Sequence, residues 1–229
     1  MEIIKLMEEE GEKVRRITGL SAQVKNVDRV NVMVDEKYEL SLTVKQVVDL
    51  RVKVGQEVDE ERMEELRRAG EFGKVYQRAL EYCLMRPRSE REMRDYLWKK
   101  TLDKRTSEGR VRKGVDKGVV EEVLMKLIEA KYVDDEKFAR WWVENRMQRK
   151  GVSGKRLRME LMKKGVDSGV IEAVMGESER DDRTEMRKVI AKKRAKYTDE
   201  ELVRYLVGQG FGYYEAKEEV EGGGEHEQD

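Results

Sequence analysis

The sequence has very few of the residues that disulfide-rich proteins, metal sites and most active sites require. It contains one cysteine, Cys83, one histidine, His226, and one proline, Pro87, among 229 residues. One cysteine cannot form a disulfide within the chain, which is typical of proteins from a reducing cytosol. We see no cluster of histidine, cysteine and carboxylate residues at metal-site spacing, and no nucleophile beside a base. We therefore expect a protein that is not an enzyme and needs no metal or cofactor.

Long apolar runs are missing as well. No stretch approaches the roughly 18 apolar residues of a membrane-spanning helix. The amino-terminal residues carry acids at positions 2, 8, 9, 10 and 12 and lack an apolar core, so we expect no secretory signal. We predict a soluble, cytoplasmic protein.

Charged residues, by contrast, make up 43% of the chain, well above the ~25% of an average globular protein. The net charge is zero, but the charges are segregated. Arg140–Asp167 has nine basic and three acidic residues, Arg187–Lys196 has six basic residues and no acid, and Glu215–Asp229 has seven acids and one lysine. Hydrophobic residues, at 38%, recur with helical periodicity. This pattern favours folded helices with charged outer faces, a basic surface and an acidic end.

The only proline separates two predicted helices. The first has one apolar face, formed by positions 75, 76, 79, 80, 83 and 84. Pro87 cannot continue that helix. Ser89, with Glu92 three residues later, has the pattern of a helix N-cap. Met93 and Leu97, four residues apart, mark the buried face of the second helix.

The same spacing occurs three times. A hydroxyl residue is followed by apolar residues four and eight positions later, at Ser89, Met93 and Leu97, at Ser153, Leu157 and Leu161, and at Thr198, Leu202 and Leu206. Gly165 and Gly210 follow the last apolar residue by four in two copies. A helical stretch precedes each copy (Val75–Met85, Phe138–Met147, Arg187–Lys196) and a short helix follows it (Val119–Ala130, Val170–Met175, Tyr213–Val220). This repetition predicts tandem three-helix units that bury each other's faces.

The region before the repeats has a different pattern. Apolar residues alternate from Val14 to Leu42, which predicts three antiparallel strands with turns at Lys25–Asp28 and Asp35–Lys37. Thr43–Arg51 is expected to form a short helix, and a charged helix is expected to begin at Asp59.

The fold class is therefore predicted as mainly α, with three tandem three-helix repeats forming an elongated array after a small antiparallel β region. The predicted boundaries are residues 1–58 for the β-rich region, 59–73 for a linking helix, 74–131, 132–180 and 181–221 for the repeats, and 222–229 for a disordered acidic tail. Repeat one contains an insertion, Thr101–Gly118, that is basic, glycine-containing and nearly free of apolar residues. We expect this insertion to be a flexible loop.

Three phrases in this order carry a family resemblance: RPRSEREMRDYL from Arg86, YVDDEKFARWWVENR from Tyr132 and GVSGKRLRMELMKKGV from Gly151. Together they resemble the RecX family of bacterial recombinase regulators, over roughly residues 74–221, and the resemblance extends weakly over the amino-terminal region. The resemblance implies a protein that lodges in the groove of RecA–DNA filaments and inhibits filament extension, ATPase and strand exchange. The insertion and the acidic tail are departures from the family pattern.

Basic residues at the turns of the repeats are the main functional signal. A line of cations on stacked turns is typical of a surface that binds a phosphate backbone or an acidic groove. Such contacts are largely independent of base sequence. The predicted partners are a RecA-type filament and, weakly, single- and double-stranded DNA. The candidate residues are Arg86, Arg88, Arg91, Arg94, Arg146, Arg149, Lys150, Lys155, Arg156, Arg158, Lys192, Lys193 and Lys196.

Two other interpretations of the basic turns stay open. The chain could be a plain nucleic-acid-binding helical module, which would bind DNA alone with a steep salt dependence. It could also be an adaptor array that ignores DNA, with the cations serving as solvated helix faces.

Four further features have an ordinary structural explanation and a functional alternative. Asp134–Glu136 is read as a helix N-cap rather than a metal site. The GQGFG stretch at 208–212 is read as a helix C-cap rather than a nucleotide loop. Cys83 is read as a core residue rather than a nucleophile. Of Trp141 and Trp142, adjacent and about 100° apart on a helix, one is expected in the core and the other at a seam or surface, where it could contact a partner.

Overall fold

The computed structural model describes residues 14–24 and 26–222, and within these ranges the chain is mainly helical. The chain divides into two compact units. The first comprises the described residues up to Tyr82 together with Leu97–Lys126, and the second comprises Cys83–Tyr96 together with the described residues from Leu127 onward. In the described ranges, every helix is too short or too polar to cross a membrane.

The first unit begins with a four-stranded antiparallel sheet in the order β3-β2-β1-β4. Its strands are β1 Arg15–Ala22, β2 Arg29–Val34, β3 Lys37–Thr43 and β4 Glu57–Val58. Alternation along β2 and β3 directs Val32, Val34, Leu40 and Leu42 into a core shared with Ile17. The predicted meander is confirmed, although Lys25 of its first turn lies outside the described residues. Strand β4 was missed because two residues show no alternation.

Two helices pack close to this sheet. Helix α1, Val44–Asp49, begins with a capping box formed by Thr43 and Gln46. Helix α2, Glu60–Met85, is one continuous helix of 26 residues that joins the predicted linking helix to the first helix of repeat one. A Cβ atom at Gly70 would lie 2.9 Å from the carbonyl oxygen of Ser41. Glycine within α2 therefore permits close approach to β3, which outweighs its low helix propensity.

The insertion is a hairpin and not the flexible loop that its composition suggested. Strands β5, Lys104–Arg105, and β6, Val111–Arg112, pair with each other and are exposed. The amide of Thr106 donates to the carbonyl of Arg110 at 2.8 Å, and Gly109 takes a positive φ of 79° in the turn. The prediction failed because two-residue strands bury no apolar face that a sequence pattern could reveal.

Eight helices form the remainder of the described chain. They are α3 Glu90–Trp98, α4 Lys117–Glu129, α5 Asp135–Asn145, α6 Gly154–Lys163, α7 Ser168–Glu177, α8 Asp182–Lys193, α9 Asp199–Gly208 and α10 Tyr213–Gly222, with a 3-10 turn at Arg194–Lys196. The hydroxyls of Ser89, Ser153 and Thr198 each accept the third amide of the helix that follows, so the three predicted N-caps are confirmed. The predicted acidic tail beyond Gly222, including His226, lies outside the described residues.

The described residues of the second unit include two apolar cores. One is formed by α5, α6 and α7 around Phe138 and Leu161, and the other by α8, α9 and α10 around Met186 and Leu206. Cys83 is also buried, and burial raises the pKa of its thiol to about 11, as expected of a core residue and not of a nucleophile. The observed helical repeats with a small amino-terminal antiparallel sheet confirm the predicted fold class.

Gly210 makes a testable contribution to stability. It has a φ of 94°, and a Cβ atom there would lie 2.7 Å from Ser153 Oγ. We expect Gly210→Ala to lower the free energy of unfolding by about 1–3 kcal/mol, because an L residue is strained there and the neighbouring turn must move. Urea unfolding measures the change.

Gly176→Ala is the matched control. Gly176 lies within α7, and a Cβ atom there meets nothing within 4 Å. Alanine should stabilise this helix by about 0.5–1 kcal/mol. Equal stability of the two variants would contradict the close contact at Gly210.

Candidate functional site

Hydroxyl groups tie the turn of one repeat to the next repeat. Ser89 Oγ accepts the third amide of α3 at 3.1 Å and donates to the carbonyl of Lys164, at the end of α6, at 2.8 Å. Ser153 Oγ accepts the third amide of α6 at 3.2 Å and donates to the carbonyl of Gln209, at the end of α9, at 2.7 Å. One side chain therefore caps the start of one helix and the end of another.

Aspartate side chains form a second hydrogen bond between repeats at each of these two turns. Asp135 accepts the amide of Glu90 at 2.8 Å, and Asp182 accepts the amide of Gly154 at 2.7 Å. Asp134 caps α5, as predicted from the Asp134–Glu136 stretch. In the described ranges, no group of three histidine, cysteine or carboxylate residues could hold a metal ion. Asp135 and Asp182 thus each join the start of one helix to the start of a helix in the preceding repeat.

The tryptophan pair packs against cations within the second unit. Both indoles contact the ring of Phe138, with centroids 6.3 Å (Trp141) and 5.6 Å (Trp142) away. The guanidinium of Arg86, from repeat one, lies 5.1 Å from the Trp141 ring, whereas Trp142 Nε1 donates to Glu160 of α6 at 3.1 Å. Trp141 therefore lies at the seam between repeats and Trp142 inside repeat two, and both have structural contacts.

Many of the candidate cations are bound to carboxylates. Arg86 forms two hydrogen bonds with Glu92, and Arg146 forms two with Glu160. The others in this group are Arg94 with Glu90, Arg156 with Glu160, and Arg158 with Glu172. Arg88 is only 7% exposed. The part-buried pairs of Arg86 and Arg146 stabilise the fold, and the charges of the five paired arginines are largely compensated.

These pairs predict a pH dependence of stability. Burial raises the pKa of Glu92, but hydrogen bonds from Arg86 and Lys164 outweigh it and leave that pKa below its ordinary value. The pKa of Glu160 is likewise lowered, because Arg146 and Trp142 outweigh burial. A lowered folded pKa gives stability above the unfolded value of about 4.3, and this stability is lost as the pH falls through the folded pKa.

Urea unfolding between about pH 5 and pH 3 measures this loss. Glu160→Gln should show a smaller loss than the unmodified chain, because glutamine does not titrate. Glu172→Gln, at an exposed pair, is the control and should keep the full loss. If Glu160→Gln lost as much stability between about pH 5 and pH 3 as the unmodified chain, the lowered pKa of Glu160 would be contradicted.

The remaining candidates include one compact group that we call the repeat-2 basic turn: Arg149, Lys150, Lys155 and Lys192. The first three lie within seven residues around the α5–α6 turn, and all four are exposed. Lys192 Nζ donates to the carbonyl of Arg149, which brings α8 to this turn. In the part of the chain that the structure describes, none of the four has a carboxylate partner. Of the other candidates, Arg91 and Lys196 are exposed elsewhere, and Lys193 lies 5.2 Å from the Tyr205 ring.

Sequence reasoning missed a buried network that supports this turn. Glu185, 3% exposed, accepts hydrogen bonds from Arg180, Lys188 and the amide of Val152 at 2.6, 2.6 and 3.0 Å. Arg180 also donates to the carbonyls of Val143 and Arg146, which satisfies the end of α5. A signal was present, since Glu185 lies four residues before the core position 189 on the same helix face.

Two models of known protein families match this chain, one over the amino-terminal sheet and one over repeat two. The family model described as Regulatory protein RecX N-terminal domain matches residues 15–59, which contain β1–β4. The model described as RecX, second three-helix domain, matches residues 134–175, which contain α5 and α6 and most of α7.

Comparisons over most of the chain identify the same family. Regulatory protein RecX of Bacillus licheniformis is 31% identical over 205 residues, which cover 86% of this chain and 73% of that protein. Regulatory protein RecX of Bacillus velezensis is 32% identical over 69% of this chain, and the match spans 56% of that protein. A crystal structure of regulatory protein RecX has a TM-score of 0.65 and 21% identity, and covers 91% of this chain and 99% of that one, which supports the fold.

The predicted resemblance is thus confirmed by family models in both halves of the chain and by relatives matched along most of it. This chain belongs to the RecX family of regulatory proteins.

Proposed function

We propose that this chain binds the RecA–DNA filament in the cytoplasm and inhibits its extension, ATPase and strand exchange, and that it does so by binding and not by catalysis. Membership of the RecX family gives the class of protein. The observation that carries the proposal is the repeat-2 basic turn, whose four exposed cations have no carboxylate partner within the described residues.

The charge arrangement favours a polyanionic partner. At the corresponding turn of repeat one, Arg86 and Arg94 are engaged by Glu92 and Glu90, whereas the cations of the repeat-2 basic turn remain available for phosphate groups or acidic side chains. The adjacent Ser153 and Asp182 contacts hold the turn between two helices, so little conformational freedom is lost on binding.

The small number of exposed cations in the repeat-2 basic turn, four, favours a filament over bare DNA as the partner. About four phosphate contacts give a salt slope of about −3 to −4 and only weak affinity at physiological salt. A filament offers protein surface together with phosphate, and the additional contacts raise affinity without base recognition.

A plain nucleic-acid-binding module is the second candidate, because these exposed cations would also attract free DNA. Sedimentation with preassembled RecA–single-stranded DNA filaments, compared with the same DNA alone, separates the two. We expect retention by filaments at concentrations that leave bare DNA unbound. Equal retention would favour the nucleic-acid module, and no retention by either would favour an adaptor that ignores DNA.

A further inference from the structure

A cleft of about 480 Å³ lies in the first unit, between α2 and the β5–β6 hairpin. Eight basic and four acidic residues line it, above apolar side chains that include Leu40, Val75 and Val119. The volume falls within the range of about 300–1,000 Å³ that small-ligand sites occupy. The excess of basic residues indicates an anionic ligand.

The acids of the cleft are largely committed to partners inside the protein. Glu39 binds Arg15 at 2.9 Å and Arg67 at 2.7 Å, and Glu64 lies 3.4 Å from Arg67. Asp116 accepts the amides of Gly118 and Val119 at 2.8 and 3.3 Å, which caps α4. The ion pairs of Glu39 and Glu64 leave little of their negative charge for the other cations of the cleft.

The hairpin adds two of those cations in an unfavourable arrangement. Lys104 lies directly opposite Arg112 in the β5–β6 pair, and both line the cleft. Like charges directly opposite each other on neighbouring strands are destabilising. In the part of the chain that the structure describes, neither these two residues nor Lys74 and Lys113, which also line the cleft, have a carboxylate partner. A bound anion would relieve this repulsion.

A buried arginine lies next to the cleft lining. Arg29 is 4% exposed and donates to the carbonyls of Ser41 and Gly70, the second of which belongs to a lining residue. Arg29 Nη1 is buried without a hydrogen-bond partner among the described residues. Burial, together with Arg78, lowers the pKa values of Arg29 and Lys100. Arg29 therefore places a guanidinium with one unsatisfied nitrogen beside Gly70 of the cleft lining.

We propose that this cleft is a binding site for a chain of phosphate groups, held by Lys74, Lys104, Arg112 and Lys113. The phosphates can come from single-stranded nucleic acid or from a free polyphosphate such as a nucleoside triphosphate. The site is separate in residues from the repeat-2 basic turn, and it requires no recombinase. It would therefore stand even if the filament proposal failed.

The hairpin provides a matched pair of variants for the test. Lys104→Glu reverses a charge that lines the cleft, whereas Arg105→Glu reverses its neighbour, which pairs with Val111 and does not line the cleft. Both side chains are exposed, so neither change disturbs a core. Fluorescence anisotropy at low salt would report binding of a short fluorescein-labelled oligothymidylate. The same variants would be made in a Lys150→Glu/Lys155→Glu background, which replaces two of the four cations of the repeat-2 basic turn with acids and is expected to weaken binding there.

We expect Lys104→Glu to weaken oligothymidylate binding by about fivefold or more and to reduce the salt slope by about 1 to 2, with less than a twofold effect of Arg105→Glu. Competition by tripolyphosphate at micromolar concentration would identify a free polyphosphate as a ligand, and failure to compete would assign the site to nucleic acid. Equal effects of Lys104→Glu and Arg105→Glu in both backgrounds, or no phosphate binding by either probe, would overturn the proposal.

Discussion

Replacing Glu185 with alanine is expected to lower the free energy of unfolding by about 3–5 kcal/mol, because it removes one partner of a buried ion pair. The carboxylate is 3% exposed and accepts hydrogen bonds from Arg180, Lys188 and the amide of Val152. Its loss leaves the Arg180 guanidinium, which also caps the end of α5, without its counter-charge. Urea unfolding, with the midpoint and slope both fitted, measures the change.

Glu172→Ala is the control for this experiment. Glu172 also pairs with an arginine, Arg158, at 2.9 Å, but the two side chains are 59% and 40% exposed. An exposed pair contributes only about 0–1 kcal/mol. If Glu185→Ala cost no more than Glu172→Ala, the buried network would not support the repeat-2 basic turn as described.

The second large effect is expected on function. Reversing the charge of Lys150 and Lys155 together should weaken inhibition of the recombinase by about tenfold or more, since each reversal replaces an attraction to a polyanion with a repulsion. Both side chains are exposed, so the free energy of unfolding should change by less than about 0.5 kcal/mol. The concentration for half-inhibition of the DNA-dependent ATPase is the measurement.

Lys137→Glu/Lys163→Glu provides the matched control. These lysines are exposed on the same repeat, in the first turn of α5 and the last turn of α6, and lie outside the repeat-2 basic turn. Inhibition by this variant should stay within about twofold of the unmodified chain, because general charge effects are screened. Equal loss in both double variants would show that net charge, and not the turn, determines inhibition.

Local features of the fold could be predicted from the sequence. Ser153 and Thr198 cap helices as their spacing indicated, because capping depends on residues within one turn of each other. The period-two pattern of β2 and β3 gave their strands and buried faces for the same reason.

Contacts between distant residues could not be predicted. The bond from Ser89 to the carbonyl of Lys164 spans 75 positions, and no local pattern reports which helix end approaches a capping hydroxyl. The candidate site has the same limit. Arg146 was grouped with Arg149 by its charge, but a carboxylate fourteen residues away, on Glu160, engages Arg146 and not Arg149.

The proposed function is tested most directly by the DNA-dependent ATPase of a RecA-type recombinase on single-stranded DNA, with this protein titrated in and its binding to the bare DNA measured in parallel. We predict loss of ATPase at protein concentrations below those that coat bare DNA. Unchanged ATPase at concentrations that saturate the DNA would contradict a filament-directed regulator.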